Sequence, residues 1–275
     1  MKIIWGLQQK DLNKLHSPFV YDMFYVSIQM AKDLGYKTVL YGSSDAIDRL
    51  GEYVDETFTT NHIDYKLYDD LKVYIWETRK DDYIILDGDV FLHSPLIFKN
   101  PNAFVWIDMV VKKQQIGYSK DCLDILNTFN IVNQIPEWNT QTGISFSTGL
   151  VKMKGNNGLL KYYVESYKKL KNWFLENEVM LNEKNSELHS DKSLVSHYFC
   201  EHLLQRIVEY YGLEYEVLEN ENSYYHWQGS DKFKNEDKWN CIKLVTDKHK
   251  KDGGTIKDVY DSLIKDGLIK PILFP

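Results

Sequence analysis

Several features common in other protein classes are scarce in this sequence. The three cysteines, Cys122, Cys200 and Cys241, are odd in number and far apart. They form neither a disulfide framework nor a metal-binding spacing, which favours a reducing, cytoplasmic environment. Arginine is rare and the net charge is −7, so the basic stripe of a nucleic-acid-binding protein is missing. No apolar run approaches the ~20 residues of a transmembrane helix, and the first apolar run is too short for a signal peptide.

Two nucleotide-binding fingerprints are also absent. The chain contains no Gly-x-Gly-x-x-Gly and no Walker-type Gly-Lys-Ser/Thr, which argues against a dinucleotide-binding or P-loop protein. The composition is ordinary for a globular protein, with 43% hydrophobic and 27% charged residues. A chain of 275 residues is long enough to bury a large core. The aromatic share of 14% is high. Aromatic side chains line sugar and nucleobase sites, but they also fill cores.

The first hundred residues alternate between short apolar runs and amphipathic segments. Such alternation predicts an α/β fold with a parallel sheet and helices on both faces. The carboxyl ends of parallel strands share one edge, so Trp5-Gly6, Tyr41-Gly42 and Asp87 are expected to converge there in a nucleotide pocket. Strands are predicted at residues 3–7, 37–41, 53–59 and 83–86, and helices at 20–34, 44–50 and 67–80.

The later part of the chain is more mixed in character. Gly149 lies inside a predicted strand, where glycine marks close approach of a ligand or another backbone. The lysines of helix 159–178 lie opposite its apolar face; they are interpreted as a solvated surface, with weak contact to an anionic membrane as the alternative. This part of the sequence predicts strands at 103–107, 144–153 and 213–218, helices at 122–129, 159–178, 194–212 and 256–264, and a polar loop at 137–143.

The most informative stretch is the apolar run 83–86 followed by Asp87-Gly88-Asp89. Residues two apart in extended chain point to the same side, so the two carboxylates can share a ligand. Gly88 between them is interpreted as leaving room for a ligand or backbone. Hard oxygen ligands at a strand's carboxyl end suit Mg²⁺ or Mn²⁺ shared with a phosphate. The competing interpretation is a solvated turn, since Asp and Gly are favoured in turns.

A second informative stretch is His226-x-x-Gly229-x-x-Lys232, in an aromatic setting. Imidazole is an acceptable Mn²⁺ ligand. Gly229 would let backbone N–H groups approach a phosphate, and Lys232 would supply a positive charge for it. The alternative is that His226 is purely structural.

Three segments now coincide: Asp87-Gly88-Asp89, the run Phe146-Ser147-Thr148-Gly149, and His226-x-x-Gly229-x-x-Lys232. In this order and at these separations they resemble glycosyltransferases of the GT-A fold, most closely retaining family 8, which includes glycogenin and bacterial galactosyltransferases. The resemblance implies a single GT-A-like domain over residues 1–275, with a Rossmann-like mixed sheet. Its nucleotide-binding half would be residues 1–100, and its donor-sugar and acceptor half residues 101–275.

The resemblance also implies roles for individual residues. Asp87, Asp89 and His226 would bind Mn²⁺ (or Mg²⁺) on the diphosphate of a nucleotide sugar, expected to be a UDP-sugar, with Asp87 also near the ribose. Gly229 and Lys232 would bind the diphosphate, and residues 146–149, including Gly149, would lie beside the donor sugar. The acceptor would be a glycan, as in polysaccharide biosynthesis, a lipid or a protein.

The sequence says less about which carboxylates take part in the reaction and about which class of reaction it is. Asp191 and Glu201 are the candidates near the reacting sugar, the alternative being helix residues facing water. A haloacid-dehalogenase-like phosphatase also places Asp-x-Asp after an apolar strand, with the first Asp as a covalent nucleophile. A GT-A-like nucleotide-binding protein without turnover is a third hypothesis.

Overall fold

The computed structural model describes ten stretches of the chain, and these fall into two compact units. Unit 1 comprises residues 1–63, 83–97 and 220–275, and unit 2 comprises residues 64–82 and 98–219. The prediction of a single domain over residues 1–275 stays a prediction. The described residues are 1–7, 18–63, 65–66, 69–112, 135–139, 144–154, 158–177, 192–218, 223–227 and 236–272.

Unit 1 is built around four parallel strands, β1 (Lys2–Leu7), β2 (Lys37–Gly42), β3 (Glu56–Thr59) and β4 (Tyr83–Leu86). They lie in the order β4-β1-β2-β3. The central strands are apolar and almost fully buried, as strands covered on both faces must be. In chain order its elements are β1 (Lys2–Leu7), α1 (Pro18–Asp33), β2 (Lys37–Gly42), α2 (Ser44–Leu50), a 3₁₀ turn (Gly51–Tyr53), β3 (Glu56–Thr59), β4 (Tyr83–Leu86), β5 (Val90–Leu92), β11 (Tyr224–His226), α6 (Glu236–Asp252) and α7 (Ile256–Lys265).

The strand register of unit 1 confirms the predicted edge. Leu7 lies opposite Gly42, and Ile4 lies opposite Ile85, so β1, β2 and β4 all end on the same side. Local signals set the helix ends: the Ser43 side chain accepts a hydrogen bond from the N–H of Ala46 at 3.4 Å and caps α2. Helix α1 gives way to a turn at Gly35, whose φ of +78° suits glycine.

Unit 2 contains three adjacent strands, β6 (Val105–Ile107), β9 (Leu150–Met153) and β10 (Tyr215–Val217). They lie in the order β10-β6-β9, one pair parallel and one antiparallel. A separate antiparallel pair is formed by β7 (Val110–Lys112) and β8 (Ile144–Phe146). Together with the helices this confirms the predicted mixed α/β class. Its elements are α3 (Asp70–Thr78), β6 (Val105–Ile107), β7 (Val110–Lys112), a 3₁₀ helix (Pro136–Asn139), β8 (Ile144–Phe146), β9 (Leu150–Met153), α4 (Gly158–Glu176), α5 (Lys192–Tyr210) and β10 (Tyr215–Val217).

The single strand predicted at 144–153 is wrong. The chain forms β8 and β9, which pair with different partners, and Ser147, Thr148 and Gly149 connect them. The alternation of side chains continued across the break, so periodicity alone did not reveal it. Residues 137–139 of the predicted loop lie in the 3₁₀ helix, whereas residues 140–143 and the predicted helix at 122–129 lie outside the described residues.

Two further properties bear on the predictions from composition. In the described part of the chain, no helix combines the length and apolarity that crossing a bilayer requires. Cys241 is buried with a free thiol, and burial raises its pKa to about 12. The thiol therefore stays protonated at neutral pH and is a poor nucleophile.

Candidate functional site

The Asp87-Gly88-Asp89 turn lies at the carboxyl end of β4, in unit 1. The N–H of Val90 donates to the carbonyl oxygen of Asp87 at 3.1 Å, which closes the turn. Asp87 is half-buried and Asp89 is buried, with 6% of its surface exposed. A carboxylate this well buried at the end of a parallel strand is not a solvated turn residue, so the competing interpretation fails for Asp89.

Gly88 is required for packing rather than for a ligand, which corrects the prediction. A β-carbon at this position would lie 2.3 Å from two ring carbons of Phe24 on α1. The Phe24 ring therefore occupies the space that the sequence suggested was left for a ligand or backbone. Gly88 lets α1 approach the turn and thereby fixes the position of the two flanking aspartates.

His226 reaches the turn through strand pairing. Strands β5 and β11 are antiparallel, and His226 lies opposite Val90, the residue after Asp89. The N–H of Trp227 donates to the carbonyl oxygen of Asp89 at 2.9 Å. As a result His226 Nε2 lies 3.6 Å from Asp89 Oδ1, with both side chains largely buried. Residues far apart in sequence are thus brought together at one point.

Interactions from the core of unit 1 hold this pairing in place. The indole N–H of Trp5 donates to Ser27 Oγ at 3.0 Å, and Ser27 Oγ donates to the carbonyl oxygen of Val90 at 2.6 Å. Trp227 is buried and its ring centroid lies 4.9 Å from that of Trp239 on α6. The backbone on both sides of the Asp89–His226 contact is therefore fixed by buried groups.

The distance between Asp89 and His226 bears on whether both side chains could bind one divalent cation. Metal–ligand distances of about 2.0–2.1 Å with octahedral geometry place two adjacent ligand atoms roughly 2.8–3.0 Å apart. Asp89 Oδ1 and His226 Nε2 lie 3.6 Å apart, so the two side chains would have to move closer by at least about 0.6 Å to share one ion. Carboxylate and imidazole suit Mn²⁺. Among the described residues no group of three or more His, Cys, Asp or Glu has the arrangement of a metal site. Two protein ligands are enough where phosphate oxygens and water complete the coordination, and Asp87 as a third ligand stays a prediction.

In unit 2, the segment Ser147-Thr148-Gly149 is held by buried carboxylates. Glu201 on α5 is 7% exposed and its Oε1 accepts a hydrogen bond from the N–H of Thr148 at 3.3 Å. Ser147 Oγ donates to Asp108 Oδ2 at 3.2 Å. Glu201 is therefore not a helix residue facing water, and its hydrogen bond with Thr148 orients the backbone next to Gly149.

The same segment is bound by a lysine that the sequence analysis missed. Lys72 on α3 is 9% exposed, and its Nζ donates to Thr148 O at 3.0 Å and to Thr148 Oγ1 at 3.3 Å. Asp69 Oδ1 lies 3.9 Å from the same Nζ. A lysine is seldom this buried unless it is paired.

Signals for these missed residues exist in the sequence. Lys72 interrupts an apolar helical stretch whose neighbours Leu71 and Val73 are buried. Asp108 follows the apolar strand β6 as Asp87 follows β4. In both cases a charged residue continues or ends an apolar run, and such residues are candidates for buried, partnered charges.

Three predicted site residues, Asp191, Gly229 and Lys232, lie outside the described residues, so their roles stay predictions. Three of the four lysines on α4 form ion pairs. Lys161 pairs with Glu165, Lys168 with Glu77 and Lys171 with Asp70, at 3.9, 2.5 and 2.8 Å. Paired lysines attract an anionic membrane less, which supports the solvated-surface interpretation.

No protein-family model and no curated protein sequence matches the chain. Solved structures with a similar backbone include the glycosyltransferase GlyE of Streptococcus pneumoniae TIGR4, at 9% identity and a TM-score of 0.44, covering 98% of this chain and 64% of that one. Mouse xyloside xylosyltransferase 1 matches at 12% identity and a TM-score of 0.39, covering 80% of this chain and 85% of that one. The inositol-1-phosphate CTP transferase of T. maritima matches at 12% identity and a TM-score of 0.40, covering 79% of this chain and 85% of that one. These values assign no family to the chain.

Proposed function

We propose that this protein is a metal-dependent glycosyltransferase. It would move a sugar from a nucleoside-diphosphate sugar, expected to be a UDP-sugar, to a glycan, lipid or protein acceptor, with retention of configuration. One observation carries the proposal: buried Asp89, at the carboxyl end of a parallel strand, lies 3.6 Å from the imidazole of His226. Ligands bind at that edge of α/β sheets.

The proposed metal ligands are Asp87, Asp89 and His226, with Mn²⁺ or Mg²⁺ as the ion. When bound, the cation would neutralise charge on the diphosphate as it leaves the sugar. The protein's part is to hold two ligand atoms in place before the nucleotide arrives. The β5–β11 pairing and the buried Trp5–Ser27–Val90 hydrogen bonds do this.

The remaining roles complete the proposal. Gly229 and Lys232 would contact the diphosphate, with Lys232 adding a positive charge near the leaving group. The segment containing Gly149 would lie beside the donor sugar, and Asp191 and Glu201 would be the carboxylates near the reacting carbon. A cytoplasmic location also stays part of the proposal.

The test is a turnover assay on the purified protein. It is incubated with Mn²⁺ and, in turn, UDP-, GDP- and CMP-sugars, and the released free nucleotide is measured. We expect release from at least one nucleoside-diphosphate sugar, abolished by EDTA and restored by Mn²⁺. Phosphate release from an aryl phosphate without nucleotide release would instead identify a phosphatase, and binding of a nucleotide without any release would identify a non-catalytic protein.

A further inference from the structure

Three tyrosine side chains form an exposed cluster on unit 2, named here the tyrosine platform: Tyr162 on α4, and Tyr210 and Tyr211 at the end of α5. Their exposed fractions are 43%, 49% and 38%. The rings of Tyr162 and Tyr211 are stacked, with centroids 4.7 Å apart and an interplanar angle of 17°. Tyr210 meets Tyr211 edge-on, with centroids 5.0 Å apart. Three partly exposed rings from two helices are thus in mutual contact.

A buried carboxylate holds the centre of the platform rigid. The hydroxyl of Tyr211 donates to Glu137 Oε1 at 3.1 Å, and Ser166 Oγ donates to the same oxygen at 3.5 Å. Glu137 is 6% exposed. Burial and the nearby Glu137 carboxylate raise the pKa of Tyr211 to about 12, so this hydroxyl remains a donor at neutral pH. A ring fixed before binding loses little entropy when a ligand packs on it.

The surroundings of the platform narrow the choice of ligand. The three residues expose on the order of 200–325 Å² if each has about 150–250 Å² in total, well under the ~800 Å² per partner of a stable protein interface. The exposed residues close to the platform in sequence include four charged ones, Lys161, Glu165, Glu209 and Glu214, and charged residues are depleted at the core of protein interfaces. Three of these four are acidic, which disfavours polyanions and anionic membranes.

We propose that the tyrosine platform binds an uncharged glycan chain. The apolar C–H faces of pyranose rings pack on exposed aromatic rings, and their hydroxyl groups hydrogen-bond to phenols and carboxylates around the edge. This binding goes beyond the proposed transfer reaction and does not require it, since the platform can hold a glycan in the absence of a nucleotide sugar.

The experiment is a calorimetric titration of the whole protein with maltohexaose, cellohexaose and mannohexaose at millimolar concentrations, without nucleotide or metal. We expect saturable binding of at least one hexasaccharide. Tyr162→Ala should weaken it about two- to tenfold, the range of one aromatic contact, whereas Tyr162→Phe, which keeps the ring, should bind nearly as the wild type does. Phe58→Ala removes an exposed aromatic of similar exposure (38%) from unit 1 and should leave binding unchanged.

The outcomes are decisive in both directions. Absence of binding to all three hexasaccharides overturns the proposal, and so does equal affinity in wild type and Tyr162→Ala. A dimer in sedimentation that Tyr162→Ala dissociates, without sugar binding, would assign the platform to a second copy of the chain instead. Asp89→Asn should retain hexasaccharide binding, so failure of the transferase proposal and failure of this one are separable.

Discussion

The two units position their candidate residues by different means. In unit 1 the contact between Asp89 and His226 is set by backbone pairing, through β5 and β11 and the Trp227–Asp89 hydrogen bond. In unit 2 the segment 147–149 is set by buried side chains, with Lys72, Asp108 and Glu201 each contributing a charge. Replacement of the Asp89 side chain should therefore alter chemistry alone, whereas replacement of the buried Lys72 should lower stability as well.

The largest expected effect is on nucleotide binding in unit 1. Asp89→Asn keeps the size of the side chain but removes the charge that a divalent cation needs. We expect Mn²⁺-dependent binding of the nucleotide to weaken more than about 100-fold, which corresponds to about 2.8 kcal/mol. Calorimetric titration measures this, and thermal unfolding should shift little. The exposed pair partner Asp247 provides the control Asp247→Asn, and an unchanged affinity in Asp89→Asn would rule out the metal site.

The next effect is on stability in unit 2. Lys72→Met removes the ammonium group that donates to Thr148 and lies near Asp69. Removing one partner of a buried pair costs about 3–5 kcal/mol, and we expect the lower end because methionine refills the space of the stem. Urea unfolding measures the loss. A loss of stability below about 1 kcal/mol is the size expected for an exposed pair, and it would contradict the claim that buried charges hold this segment. The matched control is Lys168→Met, which removes a lysine from an exposed pair with Glu77.

A third change separates two roles of Glu201. In Glu201→Gln the side-chain amide oxygen can still accept the hydrogen bond from the N–H of Thr148. We therefore expect the free energy of unfolding to change by less than about 1 kcal/mol. If the carboxylate acts in the reaction, transfer should fall about 10²–10⁴-fold while donor affinity is retained. Turnover and binding are measured side by side. Full transfer activity in Glu201→Gln would leave Glu201 as a positioning residue only.

The smallest effect concerns Gly88. The added methyl group of Gly88→Ala meets the ring of Phe24, and overpacking of this kind costs typically about 1–3 kcal/mol. The double variant Gly88→Ala with Phe24→Leu has room for the methyl group and should be more stable than the sum of the two single changes predicts. Urea unfolding of all four proteins measures the coupling. Strict additivity would show that Phe24 does not fix the turn.

Much of unit 1 could be predicted because its signals are local. Apolar runs gave β1, β2 and β4, and turn and capping residues gave the ends of α1 and α2. The shared carboxyl edge followed from the alternation of strands and helices. Strands β5 and β11 were missed because each has three residues, too few for a periodic pattern. Their pairing joins residues far apart in the chain.

The candidate site was predictable in its residue types and less so in its supports. Asp89 and His226 were identified from motif and spacing, and the structure brings them together. Phe24, Lys72 and Asp108 were missed since their roles depend on tertiary contacts. The single strand at 144–153 was predicted wrongly because alternation does not reveal a change of pairing partner. Helix α6 was also missed, although its buried residues Trp239, Ile242 and Val245 recur at helical spacing between charged residues.

The discontinuity of unit 1 has a consequence for biosynthesis. Residues 1–63 and 83–97 leave the ribosome well before residues 220–275, which contribute β11 and α6. Translation of the intervening 98–219 takes on the order of 6–24 s at ~5–20 residues per second. Throughout that interval the nascent strand β5 lacks its partner β11, and an unpaired strand edge of this kind favours mispairing until His226 emerges.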